Sequence, residues 1–566
     1  MNKKSVLYLI LILIGATLLR LWNLDKPEGM WNDEYLTWKI ASARFPVEFF
    51  EALKTNCHAP LHYLYLKLWM FIFHDSDKFL RLSSVVPGVL GIAVMFFASL
   101  EFRKKDNINT ALTTAFLCAI SSFLIYFSQE IRIYSLAFFI TSLVLLYALK
   151  IFNSPSKKNF ILYSIFCLLL ILTHTIGFVF VFFSTAALWV FAVPQKKGKD
   201  FLLFSILGVI ILALPFIPLI ANILFRNNYF SQWWAPFNLS RTLFLFTDVF
   251  SPVLNDTFHI FNKFSDAFYK NGSVNLGYFI FAVIPTIISF ICFIRGVLNP
   301  KKIHGYMLSV LVCTILTVLI AAMAGKVVFT TKYLVEIIPV FILLVSEGFN
   351  SFDSKGFKIS IATVYIVISL FYITVMETSA VKLIRTEGQR LPVVAIQNDF
   401  GLKKNDKIIF LYYPNEWFYK YVDFKNPNSE PFLKGTNITK YNFEYYLAGA
   451  DRDTILKEGS SFLQPVFASK ENKFFNSRLK NDVFNNLKSG DRLFIVDLRS
   501  VSFFPPEVVN TVANDTSIYK TVPLLYLAMS YIKSCTLEKA NKELVYVGEK
   551  NTGAWNIYVF QKPDLG

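Results

Sequence analysis

The sequence predicts a polytopic α-helical membrane protein followed by a soluble C-terminal domain of α/β or α+β type, and three observations predict it. Hydrophobic residues fill 54% of the 566 positions and charged residues only 17%, with a mean hydropathy of +0.47, outside the profile of soluble globular chains. Apolar runs that can cross a ~30 Å hydrocarbon core, which takes roughly 20 residues each, recur through the first two-thirds of the chain. Lysine and arginine gather in alternate connections between those runs.

About eleven spans are expected on length and hydropathy. They lie near 5–22, 79–100, 108–127, 133–152, 160–173, 175–193, 201–224, 276–297, 306–323, 333–349 and 358–376. No small-residue cleavage site follows the first, so it reads as a signal anchor, with Arg20-Leu21-Trp22 as its interfacial end. Lys3-Lys4, Arg103-Lys104-Lys105, Lys157-Lys158, Lys196-Lys197, Lys301-Lys302 and Lys355 with Lys358 mark the cytoplasmic connections. The intervening connections, and everything after about Met376, are then extracytoplasmic. Much of the +17 formal charge is thus a topology signal, and a nucleic-acid partner is not implied.

The text changes character at the end of the last span, dividing the chain into a membrane domain, 1–376, and a soluble domain, 377–566. Beyond Glu377 the long apolar runs stop. Short strand-like runs follow at Lys407 to Tyr412, Arg492 to Val496 and Asn556 to Phe560, with a helical stretch at Trp417 to Tyr421. These roughly 190 residues suffice for one core. The domain carries no nucleophile or metal constellation, and a capping or recognition lobe is the simplest reading. Of six cysteines, Cys118, Cys167, Cys292 and Cys313 fall in spans, where cysteine acts as a small apolar side chain; Cys57 and Cys535 form the one extracytoplasmic couple that can pair.

The chemistry gathers in the first outer loop, about 23–78. Asp33 and Glu34 stand together in Trp31-Asn32-Asp33-Glu34, just beyond the first span. Acids placed at a membrane surface point to catalysis or to a bound group. The competing readings are a capping carboxylate for Asp33 and a first-turn acid for Glu34. An amphipathic stretch from Tyr35 to Leu53, Phe-rich over Arg44 to Phe50, is expected to lie in the interface with its apolar face toward lipid. His58 and His62 follow in Cys57-His58-Ala59-Pro60-Leu61-His62-Tyr63, either as surface histidines or as ligands of substrate or metal.

Two later segments add charge. In Ser128-Gln129-Glu130-Ile131-Arg132-Ile133-Tyr134, an arginine entering a span beside Glu130 and Tyr134 suits a phosphate or carboxylate at the membrane boundary, since its planar fork makes bidentate contacts. Snorkelling to water is the alternative. Lys326 and Lys332-Tyr333 put cations on the outer side, against the topology rule, so a local reason for them is expected. Gln232-Trp233-Trp234-Ala235-Pro236 supplies either interfacial anchors or a platform for sugar or isoprenoid.

Taken in order, Trp31-x-Asp33-Glu34, His58-x-Pro60-Leu61 with Tyr63, Arg81-Leu82-Ser83, Gln129-Glu130-x-Arg132-x-Tyr134 and a basic-Tyr pair ahead of a span bearing Pro339 resemble the bacterial membrane glycosyltransferases of the GT-C fold. The set is similar to glycosyltransferase family 39, the protein mannosyltransferase and aminoarabinose transferase group. The resemblance covers the membrane domain. It implies a hexosyl or pentosyl transferase of the cell membrane, using a sugar on polyprenyl phosphate and an extracytoplasmic acceptor, with inversion.

By that resemblance Asp33, with Glu34 beside it, is the catalytic acid pair, and Asp33 deprotonates the acceptor hydroxyl. Arg132 and Lys332 meet the departing phosphate, Tyr134 and Tyr333 donate hydrogen bonds, and His58 and Glu130 complete the substrate site. Where this chain has Lys332 the family often has arginine, which puts a bidentate grip there in doubt. Some relatives hold a divalent ion between an outer-loop acid and a histidine, for which His58 or His259 stand as candidates beside Asp33 or Glu34. No cofactor is otherwise implied. A surface-polysaccharide polymerase or ligase is the alternative function, and a transporter the more distant one.

Overall fold

The computed structural model describes residues 3–24, 32–54, 58–73, 76–102, 108–192, 200–203, 206–209, 247–250, 269–270, 273–274, 276–298, 301–324 and 331–378. In the C-terminal part it describes 399–401, 406–410, 444–447, 487–498, 540–551 and 555–563, with the isolated positions 214, 329, 396, 484 and 537. The chain forms two compact units. The first comprises Met1–Asp25, Thr37–Asn227 and Phe237–Glu377; the second comprises Lys26–Leu36, Asn228–Pro236 and Thr378–Gly566.

The first unit is helical. Its elements are α1 (Lys3–Leu21), most of α2 (Asn32–Ser42), α3 (Val47–Lys54), α4 (Leu61–Ile72), α5 (Asp77–Phe102), α6 (Ile108–Ile120), α7 (Ser122–Ser128), α8 (Tyr134–Asn153), α9 (Lys157–Ile171) and α10 (Gly177–Phe191). After residues mostly outside the description come α11 (Leu276–Val297), α12 (Lys302–Met323), a 3-10 turn at Thr331–Ile337, α13 (Ile338–Asn350) and α14 (Lys355–Thr378). Among the described residues five helices are long and apolar enough to cross a membrane, and α6 with α7 makes a sixth if that bent pair is one span. The expected eleven are therefore not counted out: several further expected spans are helices that are short or only partly described, and most of 201–224 lies outside the described residues.

Burial ranks the helices. The window from Thr331 to Asn350 is 89% buried and the N-terminal helix only 22%. Helix α13 is thus central and α1 peripheral, its outward leucines and isoleucines matched to lipid.

Helices α11 and α13 approach backbone to backbone through Gly296 and Gly348. A Cβ added at Gly348 would fall inside the carbonyl oxygen of Cys292, and one at Gly296 would meet the carbonyl of Leu344. Small residues at such crossings let helices close on each other in lipid. Gly348→Leu should force the pair apart, and overpacking of this kind costs about 1–3 kcal/mol or more. A fall in the detergent-solubilised unfolding midpoint, with wild-type behaviour of a lipid-facing control such as Ile320→Leu, would show it.

The span expected at 108–127 breaks instead into α6 and α7, bent by 57°. Ser121 starts the second piece by accepting a hydrogen bond from the Leu124 amide at 3.4 Å, as an N-cap serine does. The break orphans the last carbonyls of α6. Arg20 donates to the carbonyls of Cys118 and Ala119 at 3.2 and 3.1 Å, and the Ser369 hydroxyl donates to that of Ile120. Arg20 was expected at the interface; it is instead fully buried, because these carbonyls need a multi-pronged donor at that depth.

The amphipathic stretch 35–53 is likewise two helices, separated at Ala43 to Pro46. Phe49 and Leu53 pack inward on Ile40 and Tyr63, while Phe45, Val47 and Phe50 remain exposed.

In the second unit the described strands build one mixed five-stranded sheet. They are β3 (Lys407–Phe410), β4 (Glu444–Leu447), β5 (Arg492–Leu498), β6 (Val545–Asn551) and β7 (Trp555–Gln561), ordered β4-β3-β5-β7-β6; the short pair β1 (Tyr269–Lys270) and β2 (Ser273–Val274) belongs to the first unit. β3 runs parallel to β4 and β5, and β7 runs antiparallel to β5 and β6. Ile408, Ile409, Leu493 to Val496 and Val559 are buried, so the central strands lie covered on both faces. Arg492 locks the entry to β5 by gripping both carboxylate oxygens of Asp406, at 3.0 and 2.6 Å. The expected helix at Trp417 to Tyr421 and the residues Cys57 and Cys535 lie outside the described residues.

A candidate anion site at one end of the helices

The connections α7–α8, α9–α10 and α12–α13 come together at one end of the helices, since His174 between α9 and α10 bonds Glu336 before α13 and its ring lies 6.3 Å from that of Tyr134 at the start of α8. Polar side chains from all three, together with the segments before α4 and within α2, meet there in the first unit. Arg132, 5% exposed, leaves the α7–α8 turn and donates from Nη1 to the Thr37 hydroxyl and from Nη2 to His58 Nε2, both at 3.1 Å. A guanidinium can only donate, so His58 is the neutral tautomer with its lone pair on Nε2. Burial first, then the charges of Arg132, His174, Lys332 and His62, hold the His58 imidazole well below its ordinary pKa. Burial, and then Arg132, push His62 down to about 3. Neither ring nitrogen of His62 has a hydrogen-bond partner among the described residues.

The guanidinium carbon of Arg132 sits 5.9 Å from the centroid of the Tyr134 ring, and Lys332 Nζ sits 5.1 Å from that of Tyr333. Lys332 is 4% exposed. The Tyr333 ring gives the ammonium a cation–π contact, one local reason for a cation where the topology rule disfavours one. Glu336 Oε1 pairs with His174 Nδ1 at 2.5 Å, and both residues are buried. Glu130 is buried in the turn that carries Arg132, whose amide bonds to the Glu130 carbonyl at 2.8 Å. Arg81, also buried, donates to the Leu24 carbonyl at 3.2 Å, tying the start of α5 to the end of the first helix.

Of the site residues expected from sequence, His58, Arg132, Tyr134, Lys332 and Tyr333 thus converge in one buried cluster, with Glu130 beside it in the same turn as Arg132. Asp33 and Glu34 occupy the first turn of α2, half-buried and buried respectively, and are counted with the second unit. Thr37, His174 and Glu336 were not singled out in the sequence. A lone ionisable residue inside an apolar run was the signal that could have found His174 and Glu336.

The surroundings of His58 do not fit a divalent ion. Its Nε2 lone pair is committed to Arg132, and two cations stand nearby, whereas a metal wants a free imidazole lone pair with anionic neighbours. No group of three metal-ligating side chains occurs among the described residues. His259, Lys326 and the Trp233-Trp234 pair lie outside them.

No protein-family model matches the chain, and no curated protein sequence matches it. Solved structures do. ArnT from Cupriavidus metallidurans in the apo state is similar over 97% of this chain and 97% of its own length, at 10% identity and a TM-score of 0.50. The Archaeoglobus fulgidus oligosaccharyltransferase, tethered with an acceptor peptide containing the NVT sequon, is similar over 99% of this chain and 74% of its own, at 10% identity and a TM-score of 0.50. At such identity the likeness is one of fold, and the fold is the GT-C fold of membrane glycosyltransferases.

Proposed function

We propose that this protein is a family 39-like glycosyltransferase of the cell membrane that moves a sugar from a polyprenyl-phosphate donor to an extracytoplasmic acceptor, with inversion at the anomeric carbon. The observation that supports it best is the meeting of two buried cations, Arg132 and Lys332, from segments 200 positions apart in the chain, at the helix ends where the bundle turns. A guanidinium and an ammonium gathered at one end of an apolar bundle make a place where added negative charge is stabilised. A lipid phosphate is the anion that a membrane-embedded site can expect.

In this reading the isoprenoid tail stays in lipid and its phosphate sits against Arg132 and Lys332. Asp33 takes the proton of the acceptor hydroxyl as that oxygen attacks the anomeric carbon from the opposite side. The sugar passes through an oxocarbenium-like state, and the cations stabilise the charge that grows on the departing phosphate. Their action is differential: a phosphodiester carries one negative charge, and the leaving phosphate monoester carries up to two. Tyr134 and Tyr333 hold the cations by their rings, and His58 fixes the Arg132 fork. The N-terminus is cytoplasmic, and the unit built on residues 378–566 faces the acceptor side.

The test is to incubate the full-length protein in lipid nanodiscs with a panel of polyprenyl-phosphate hexoses and pentoses and to follow release of polyprenyl phosphate. Consumption of one donor is expected. Consumption only of diphosphate-linked oligosaccharides would move the assignment to a polymerase or ligase, and consumption of none would overturn it.

A further inference from the structure

The pair His174–Glu336 has no part in the reaction so far described, yet it occupies the middle of the site. The His174 ring lies 6.3 Å from that of Tyr134 and 6.4 Å from that of Tyr333, by centroids, stacked at 22° on the latter. Each of those tyrosines carries one of the two cations over its face. The imidazole is thus bracketed by the two cation-bearing rings, with His58 at 6.1 Å on a further side. Its Nδ1 is taken by the Glu336 carboxylate, which leaves Nε2 as the nitrogen that can exchange a proton with a ligand. A carboxylate that fixes one imidazole nitrogen, sets the tautomer and stabilises the cation is the orienting arrangement of an acid-base histidine.

We infer that His174, oriented by Glu336, is the general acid that protonates the departing lipid phosphate; the inference rests on the glycosyl-transfer reading above. As the bond between the anomeric carbon and the phosphate oxygen breaks, its electron pair passes to that oxygen. His174 Nε2–H delivers a proton to the phosphate, so the polyprenyl phosphate leaves with one negative charge instead of two. The new bond joins the acceptor oxygen to the anomeric carbon, and the acceptor proton goes to Asp33. Exchange with water returns a proton to His174 and removes one from Asp33, so the cycle consumes none.

The charged groups around His174 are Glu336 on its Nδ1 and the cations Arg132 and Lys332 carried on the Tyr134 and Tyr333 rings, with Glu130 in the turn of Arg132 and the His58 ring on a further side. An arriving phosphate adds an anion that favours a proton on Nε2, and the proton is given up to the leaving oxygen as charge grows there. Binding and acid catalysis are thereby coupled through one imidazole.

The experiment uses full-length protein in nanodiscs with the donor identified from the panel, reading kcat and KM for the donor against pH. Wild-type kcat is expected to fall toward alkaline pH as the donor-bound imidazolium loses its proton. His174→Gln should lower kcat by about 10²–10⁴ with little change in KM, and should abolish that alkaline limb. Glu336→Gln keeps an acceptor but loses the anion, so the limb should move to lower pH with a smaller loss of kcat. A donor whose leaving phosphate is a weaker base should lose less in the His174 variant than the natural one. A wild-type kcat flat at alkaline pH, or a folded His174→Gln protein that keeps both kcat and limb or changes only KM, overturns the inference while transfer itself stands. Should His174→Gln not fold, the wild-type limb and its shift in Glu336→Gln decide. Absence of transfer by wild-type protein with every donor would instead remove the parent reading.

Discussion

Asp33→Asn is expected to leave the protein folded and to lower transfer by about 10²–10⁴, the span usual for a missing general base. Asn is nearly isosteric with Asp and caps or begins a helix about as well. What changes at the first turn of α2 is one negative charge near a helix N-terminus, worth about 0.3–1 kcal/mol to the helix. Stability should therefore shift little while the proton acceptor disappears. The measurement is transfer of labelled sugar from the donor by the variant in nanodiscs, beside its unfolding midpoint and its affinity for the donor. If donor binding is retained and transfer is lost, Asp33 acts in the chemical step; wild-type transfer by a folded Asp33→Asn protein would sink the assignment and leave the carboxylate as a helix cap. Glu34 is the more buried of the two acids, so a change there disturbs packing as well as charge and makes a poorer single test.

What the sequence made legible follows from which forces act locally. Hydropathy located the helices of the first unit because lipid penalises every unpaired backbone group, whatever the tertiary arrangement. Arg132 and Lys332 were legible for the complementary reason, since a cation beside apolar runs has no inexpensive explanation. The break after Ile120 was not expected, although Ser121-Ser122 marks a point where a helix can kink. Arg20 was misread through the same omission: without the break there are no orphan carbonyls for it to serve, and an arginine at a span end then looks like an anchor. His174 and Glu336 escaped for another reason. Each is a lone ionisable residue beside an apolar run, but the pairing that gives them a role arises only when residues 162 positions apart are brought within a hydrogen bond. Pairings of that range are set by helix packing, which hydropathy does not encode.

Arg132 offers the second large effect, and two substitutions separate its charge from its shape. Arg132→Met should lower kcat by about 10²–10³, the cost of removing one preorganised donor aimed at developing charge. The variant also frees the His58 lone pair and removes a charge that holds down its pKa, so the His58 imidazole should titrate at higher pH than in the wild type. Arg132→Lys keeps the charge, but one ammonium on a flexible stem cannot hold Thr37 and His58 together at the geometry a planar fork provides. Its expected loss is about tenfold to a hundredfold, between wild type and Arg132→Met, because field strength survives while preorganisation does not. The two variants and wild type would be compared for kcat, donor KM and binding of polyprenyl phosphate as product. If the site grips phosphate, the product should weaken more than the donor in Arg132→Met when binding is measured at alkaline pH, where the free monoester carries two charges against the donor's one. Equal weakening of both would mean that Arg132 only supports the fold of the turn, and unchanged kinetics in either variant would take the phosphate away from this cluster altogether.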